Sequence, residues 1–253
     1  MSTGESASPA PEDPAFRPRE TRVKTLGIIG GTAPESTIEY YRLVIRAYRE
    51  RQPDGSYPPI LINSIDLKRM LDLVGAGRRD ELIRYLLDEI GKLARAGADL
   101  GLLAANTPHI VFDDLRRDSP MPLVSIVEAA CEETRRLGLS RVGLFGTKFT
   151  MEGRFYPDLF SRHGIALSVP AAEDRAYLHD TYMGELVHGV FLPKTRARLL
   201  EIVDRLREKE GIQGLILGGT ELPLILGDDV ERGIPFLDTT RIHVARAITE
   251  MLS

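Results

Sequence analysis

Residues 25–51 read TLGIIGGTAPESTIEYYRLVIRAYRER, and this stretch decides the fold class. Its opening is a short apolar run closed by Gly30 and Gly31, the pattern of a buried strand ending in a tight turn. A helix-like run follows from Pro34 to about Arg51, with proline where a first helical turn tolerates a missing N–H. Strand, glycine turn and helix in that order form a unit of a parallel α/β sheet.

The same alternation continues outward from this unit. PILINSID at 59–66, a helical region near 79–96 and the apolar strand ADLGLLAAN at 98–106 come next. A second series opens with LVSI at 123–126, runs through a helix to Leu137 and enters RVGLFGT at 141–147. ALSVP at 166–170, helical stretches between about 173 and 209 and GLILGG at 214–219 complete it. Continuous apolar strands between amphipathic helices imply an α/β fold with parallel sheets covered on both faces. LGIIGGT at 26–32 parallels VGLFGTK at 142–148, and GLLAANT at 101–107 parallels GLILGGT at 214–220. Two similar lobes are therefore expected, although buried strands ending in Gly and Thr are common and spacing alone leaves a true repeat open. The apparent restart places a first lobe at 24–122 plus 233–253 and a second at 123–232. Residues 1–23, rich in Pro, Ser and Glu and without an apolar core for a signal peptide, are expected to form a disordered tail.

Composition narrows the function classes. The 253 residues are 43% hydrophobic and 28% charged, and no apolar run approaches the roughly 18 residues of a membrane span. A water-soluble protein with no membrane partner is expected. A net charge of -4 gives no footprint for a polyanion, so nucleic acid is not an expected partner. A single cysteine, Cys131, excludes an intramolecular disulfide and a cysteine-rich metal site, which fits a cytoplasmic location. No metal is expected.

In open parallel sheets ligands bind beyond the carboxyl ends of strands. GGTAPEST at 30–37, NSID at 63–66, AANTPH at 104–109 and GGTELP at 218–223 occupy such positions. The first contains neither GxGxxG nor GxxxxGK[ST], which disfavours a nucleotide loop. Thr32, Ser36 and Thr37 at a helix start can hold a carboxylate, and they can equally serve as a helix cap.

GIIGGTAPESTIEYYR, ANTPH, GLFGTKFTM with the following FY, GGTELPLIL and PFLDTTRIH together, and in this order, resemble the motifs of the cofactor-independent aspartate/glutamate racemase family over residues 24–250. The resemblance implies two Rossmann-like lobes related by a pseudo-twofold, a site between them, no cofactor, and an acidic amino acid or other small carboxylate as ligand; it admits a homodimer. It also places one cysteine immediately before Asn-Thr and another immediately before Thr-Glu, where this chain carries Ala105 and Gly219. Two acid/base groups on opposite faces of the α-carbon are what that chemistry needs, and neither residue supplies one. Asn106, Thr107 and Thr220, with Thr32, Ser64 and Thr150, would by resemblance supply donors to the ligand.

His109 is the first substitute acid/base candidate because an ordinary histidine titrates near working pH, and Glu221, Asp66 and His243 follow. Each of the first three has a structural alternative: orienting a helix start for His109, fixing a turn for Glu221, and capping a helix for Asp66. Cys131 groups with Ile126, Val127 and Ala130 at helical spacing and reads as a packed residue. His163, His179 and His188 read as surface residues. Two functions stay open at this point: chemistry on a small carboxylate with substitute groups, or a catalytically silent relative that binds a metabolite or supports a partner. Ordinary racemisation is expected to be weak or absent.

Overall fold

The computed structural model describes residues 22–227 and 231–253, so the expected tail lies almost wholly outside the described residues. The chain opens with strand β1 (Leu26–Gly30) and helix α1 (Pro34–Arg51), followed by β2 (Ile60–Ser64), α2 (Leu67–Gly75), α3 (Arg79–Arg95) and β3 (Leu100–Leu103). A 3₁₀ turn at Thr107–Val111 leads into α4 (Phe112–Asp118) and the short β4 (Leu123–Val124). These strands make a four-stranded parallel sheet in the order β2-β1-β3-β4.

The second half repeats the plan. After α5 (Ile126–Arg136) come β5 (Arg141–Gly146), α6 (Lys148–Glu152), α7 (Phe155–Arg162) and β6 (Ala166–Ser168). Then α8 (Ala172–Gly184), α9 (Pro193–Glu210), β7 (Gly214–Gly218), α10 (Leu222–Leu226), β8 (Phe236–Asp238) and α11 (Thr239–Met251) complete the chain. The second sheet is also parallel, in the order β6-β5-β7-β8. Strands β5 to β8 thus repeat the arrangement of β1 to β4. The sequence parallels between 26–32 and 142–148, and between 101–107 and 214–220, fall on equivalent strands.

Burial explains why these strands read as continuous apolar runs. Every residue of β1, β3 and β7 is buried, because helices cover both faces of each sheet. Helix α1 buries Ser36, Tyr40, Leu43, Val44 and Tyr48, one stripe at helical spacing, against β1 and α11. Thr32 and Ala33 separate its first turn from Gly31, whose φ of 76° and close approach to Ile65 leave no place for a side chain.

Strand pairing corrects both expected lobe boundaries. Leu123–Val124, expected to open the second lobe, pairs with β3 in the first sheet, so the chain crosses only after Val124. Phe236–Asp238, expected in the first lobe, pairs with β7 in the second sheet, so the return follows Asp238. Each fourth strand runs straight into a capped helix: Ser125 accepts from the Glu128 amide, and Asp238 from those of Thr240 and Arg241. In the sequence each pair of elements therefore looks like the start of a new unit. Helix α11 then packs against both α1 and α5, joining the two halves. No helix among the described residues is long and apolar enough to cross a membrane.

Candidate functional site

Because all strands of each sheet run the same way, the segments after β1, β3, β5 and β7 gather at their carboxyl ends. On the first sheet the Ala104 carbonyl, just beyond β3, accepts from Thr32 Oγ1 at 3.1 Å and from Ser36 Oγ at 2.7 Å. These bonds fasten the turn before α1 to the end of β3. Ser64 closes β2 beside Gly31 and is exposed.

Asn106 ties this end to the second half of the chain. Its Oδ1 accepts from the Tyr156 hydroxyl at 2.7 Å, and its amide lies 3.4 Å from Thr239 Oγ1, which donates to the Leu217 carbonyl at 2.7 Å. Asn106 is therefore a buried bridge with both ends of its amide engaged. Thr107 Oγ1 meets Thr147 Oγ1 at 3.4 Å, and Thr147 Oγ1 meets Thr150 Oγ1 at 3.2 Å. Thr150 packs its methyl against Gly146 and Gly218, at the ends of β5 and β7. The structure thus brings Asn106, Thr107 and Thr150 together and adds Thr147, Tyr156 and Thr239, which the sequence reading did not single out.

Immediately beyond β7 a second buried cluster forms. Glu221 Oε2 accepts from Thr220 Oγ1 at 2.8 Å and from the Tyr182 hydroxyl, while Oε1 has no hydrogen-bond partner among the described residues. Burial raises the Glu221 carboxyl from its ordinary value; the two hydroxyl donors act against that rise and the charge of Glu35, at the start of α1, adds to it. Glu35 thus faces Glu221 electrostatically from the other half of the chain. Gly219 leaves no room for a side chain, since a Cβ there would stand 2.5 Å from Tyr182 Cε2. Ala105 is partly exposed, and its carbonyl accepts from His109.

His109 is corrected from acid/base candidate to structural residue. Its Nδ1 donates to the Ala105 carbonyl at 3.1 Å and its Nε2 accepts from the Ile126 amide at 3.3 Å, so the neutral ring orients the start of α5. Burial, reinforced by His243, pushes its pKa down to about 3. His243 is spent the same way: Nε2 donates to the Val124 carbonyl at 3.0 Å, Nδ1 accepts from Tyr40 at 2.8 Å, and burial lowers its pKa to about 4. Asp66 caps α2 through the Arg69 amide. Cys131 is buried in α5, which pushes its thiol up to about 11. His163 and His188 are exposed as expected, but His179 is not a plain surface residue: it is half-buried on α8 and accepts from the Lys148 amide at 3.2 Å.

Both clusters are buried, with Thr107, Thr147 and Thr220 keeping 6%, 8% and 7% of their exposure. The neighbouring open groove, about 550 Å³, runs between α4 and α7 and is lined by His109, Phe112, Arg116, Phe155 and Arg162. No group of His, Cys, Asp and Glu among the described residues has the arrangement to hold a metal ion.

Residues 29–247 match the model of Asp/Glu/hydantoin racemases, and the chain carries two four-stranded parallel sheets. The chain belongs to that family. Among its relatives, the broad specificity amino-acid racemase RacX of Bacillus subtilis is 26% identical over 239 residues, covering 90% of this chain and 98% of RacX. A candidate Asp/Glu racemase from Yersinia pestis superposes with a TM-score of 0.83 at 31% identity, covering 91% of this chain and 100% of that one. An aspartate racemase homologue from Pyrococcus horikoshii gives 0.77 at 37% identity, covering 90% and 99%. The two-lobe α/β fold of the Asp/Glu racemases is accordingly the fold of this chain.

Proposed function

We propose that this racemase-family chain binds a small carboxylate, an acidic amino acid in the first instance, between its lobes and exchanges the α-proton from one face only, through Glu221. The reading holds that Ala105 and Gly219 stand where racemases of the family use thiols. It includes a cytoplasmic location and no cofactor. One observation carries it: Glu221 is buried at the end of β7 with Oε2 saturated by two hydroxyl donors and Oε1 unengaged among the described residues. A carboxyl raised by burial is a stronger base than an ordinary one, which suits it to proton transfer.

The step balances without a co-reactant. Glu221 as carboxylate takes the α-proton, and the C–H electron pair passes to the α-carbon and is shared with the ligand's own carboxylate. The carboxylic acid so formed returns a proton to the same carbon. On the opposite face Ala105 carries no titratable group, and His109 has both ring nitrogens engaged. Return from the original face retains configuration. Thr107, Thr147 and Thr150 are the hydroxyls suited to the ligand carboxylate. Their contact across the sheets, 3.4 Å between Thr107 and Thr147, is at the long, weak end of hydrogen bonding and is the least costly link to exchange for a ligand.

Incubation of L- and D-aspartate and glutamate in heavy water tests this. Deuterium should enter the α-position with retention and should not do so in Glu221→Gln. Saturable binding without exchange would replace this reading with that of a ligand-binding relative, and inversion by the unaltered chain would overturn it.

A further inference from the structure

Gly219 is glycine for a reason that lies outside its own backbone. Its φ is not in the left-handed region, so a left-handed backbone is not what calls for glycine there. The obstacle is a neighbour: a Cβ at 219 would lie 2.5 Å from Cε2, 2.9 Å from the hydroxyl oxygen and 3.0 Å from Cζ of Tyr182. Tyr182 is buried in the last turn of α8, and its phenol fills the space that a side chain at 219 would need. The hydroxyl at the tip of that ring is one of the two donors that hold Glu221 Oε2.

We propose that Gly219 and Tyr182 are a matched pair, in which the missing side chain at 219 admits the phenol and the phenol fixes Glu221 with Oε1 left for a ligand. Tyr182 is then the positioning residue of this site. The role given to Glu221 rests on the function proposed above; the steric pairing does not. A buried phenol with its hydroxyl on a carboxylate is constrained at both ends, so a side chain at 219 displaces the ring and detaches the donor together. The donor favours the ionised carboxyl, and its loss leaves burial and Glu35 to act with less opposition.

The test uses the ligand-free chain and two readouts. In thermal unfolding, Gly219→Ala should lower Tm by about 5 °C, and should lower it far less in a Tyr182→Ala background, where the ring is gone. In a carboxyl-carbon NMR titration, with the Glu221 signal assigned by its absence in Glu221→Gln, Tyr182→Phe should move the titration upward. Gly219→Ala should move it in the same direction, because it pushes the same hydroxyl away. Additive melting shifts would overturn the pairing. An unmoved Glu221 titration in Tyr182→Phe would overturn the positioning role. Absence of α-proton exchange alongside the expected coupling and titration would refute the proposed chemistry and leave the matched pair standing.

Discussion

His109 and His243 show how far a residue's chemistry departs from its type once its partners are fixed. Each imidazole is buried and neutral, with both nitrogens engaged. Their pKa values, lowered to about 3 and about 4, lie below the ordinary value of 6.5 that the unfolded chain retains. As pH falls through 6.5 the unfolded state takes up protons that the folded state refuses, so stability is lost with a slope approaching 1.4 kcal/mol per pH unit for each ring. Glu221 acts in the opposite direction, since its raised carboxyl favours the folded state at low pH and that contribution is lost as pH rises through its folded value. Melting curves between pH 8 and 5 should show a net fall on acidification, and His243→Gln should flatten it. Thr107 supplies a second test at this scale. Thr107→Val keeps the shape but removes the hydroxyl, and should reduce the thermal stabilisation given by millimolar aspartate, measured as the ligand-dependent shift in Tm. Asn106, Thr107, Thr220 and Glu221 were singled out in the sequence because they follow buried strands, whereas Thr147 and Thr239, which also follow strands, were not. The fate of His109 was not legible, because it depends on the Ile126 amide, contributed by another element.

At the level of elements, the β1–α1 unit is the most legible part of the molecule. An apolar run, glycines and a proline-led amphipathic helix all specify the same structure, and local agreement of that kind is what makes a unit readable. Gly31 is its tightest point: with φ at 76°, an added Cβ would lie 2.6 Å from both the Ile65 amide nitrogen and Ser64 Oγ. Gly31→Ala combines an unfavourable conformation with collision against backbone, and should cost about 2–4 kcal/mol in denaturant unfolding. The fourth strand of each sheet was illegible for the opposite reason. Leu123–Val124 and Phe236–Asp238 are two and three residues long, too short to carry a period, and each leads at once into a helix cap. Only the pairing with β3 and β7 gives them away. Tyr182 was hidden similarly, because a tyrosine on the buried stripe of α8 reads as core packing unless the glycine opposite it is known.

Across the whole molecule, the two sheets are joined at the proposed site by buried polar links. The Tyr156 hydroxyl on Asn106 Oδ1, at 2.7 Å, is a buried one of them. Tyr156→Phe would leave a buried carbonyl oxygen unsatisfied, costing about 1–3 kcal/mol, and should speed amide hydrogen exchange in α7 and in the segment after β3 more than in β1 or β5. The division of the site between two lobes also governs what can be gained. On the second lobe Glu221 already stands beside Gly219, whereas a thiol introduced by Gly219→Cys would have to displace Tyr182 and so disrupt Glu221. On the first lobe Ala105 is partly exposed and carries nothing that titrates, so its replacement adds a group without removing one. Ala105→Cys alone should therefore convert exchange with retention into measurable racemisation of aspartate or glutamate, with a thiol on one face of the α-carbon and Glu221 on the other. Gly219→Cys alone should not, and Ala105→Cys combined with Glu221→Gln should lose the gained activity. The readout is the D/L ratio over time together with α-deuterium content. Inversion by Ala105→Cys that survives Glu221→Gln would show that the second face is served by another group, and would remove Glu221 from the chemistry.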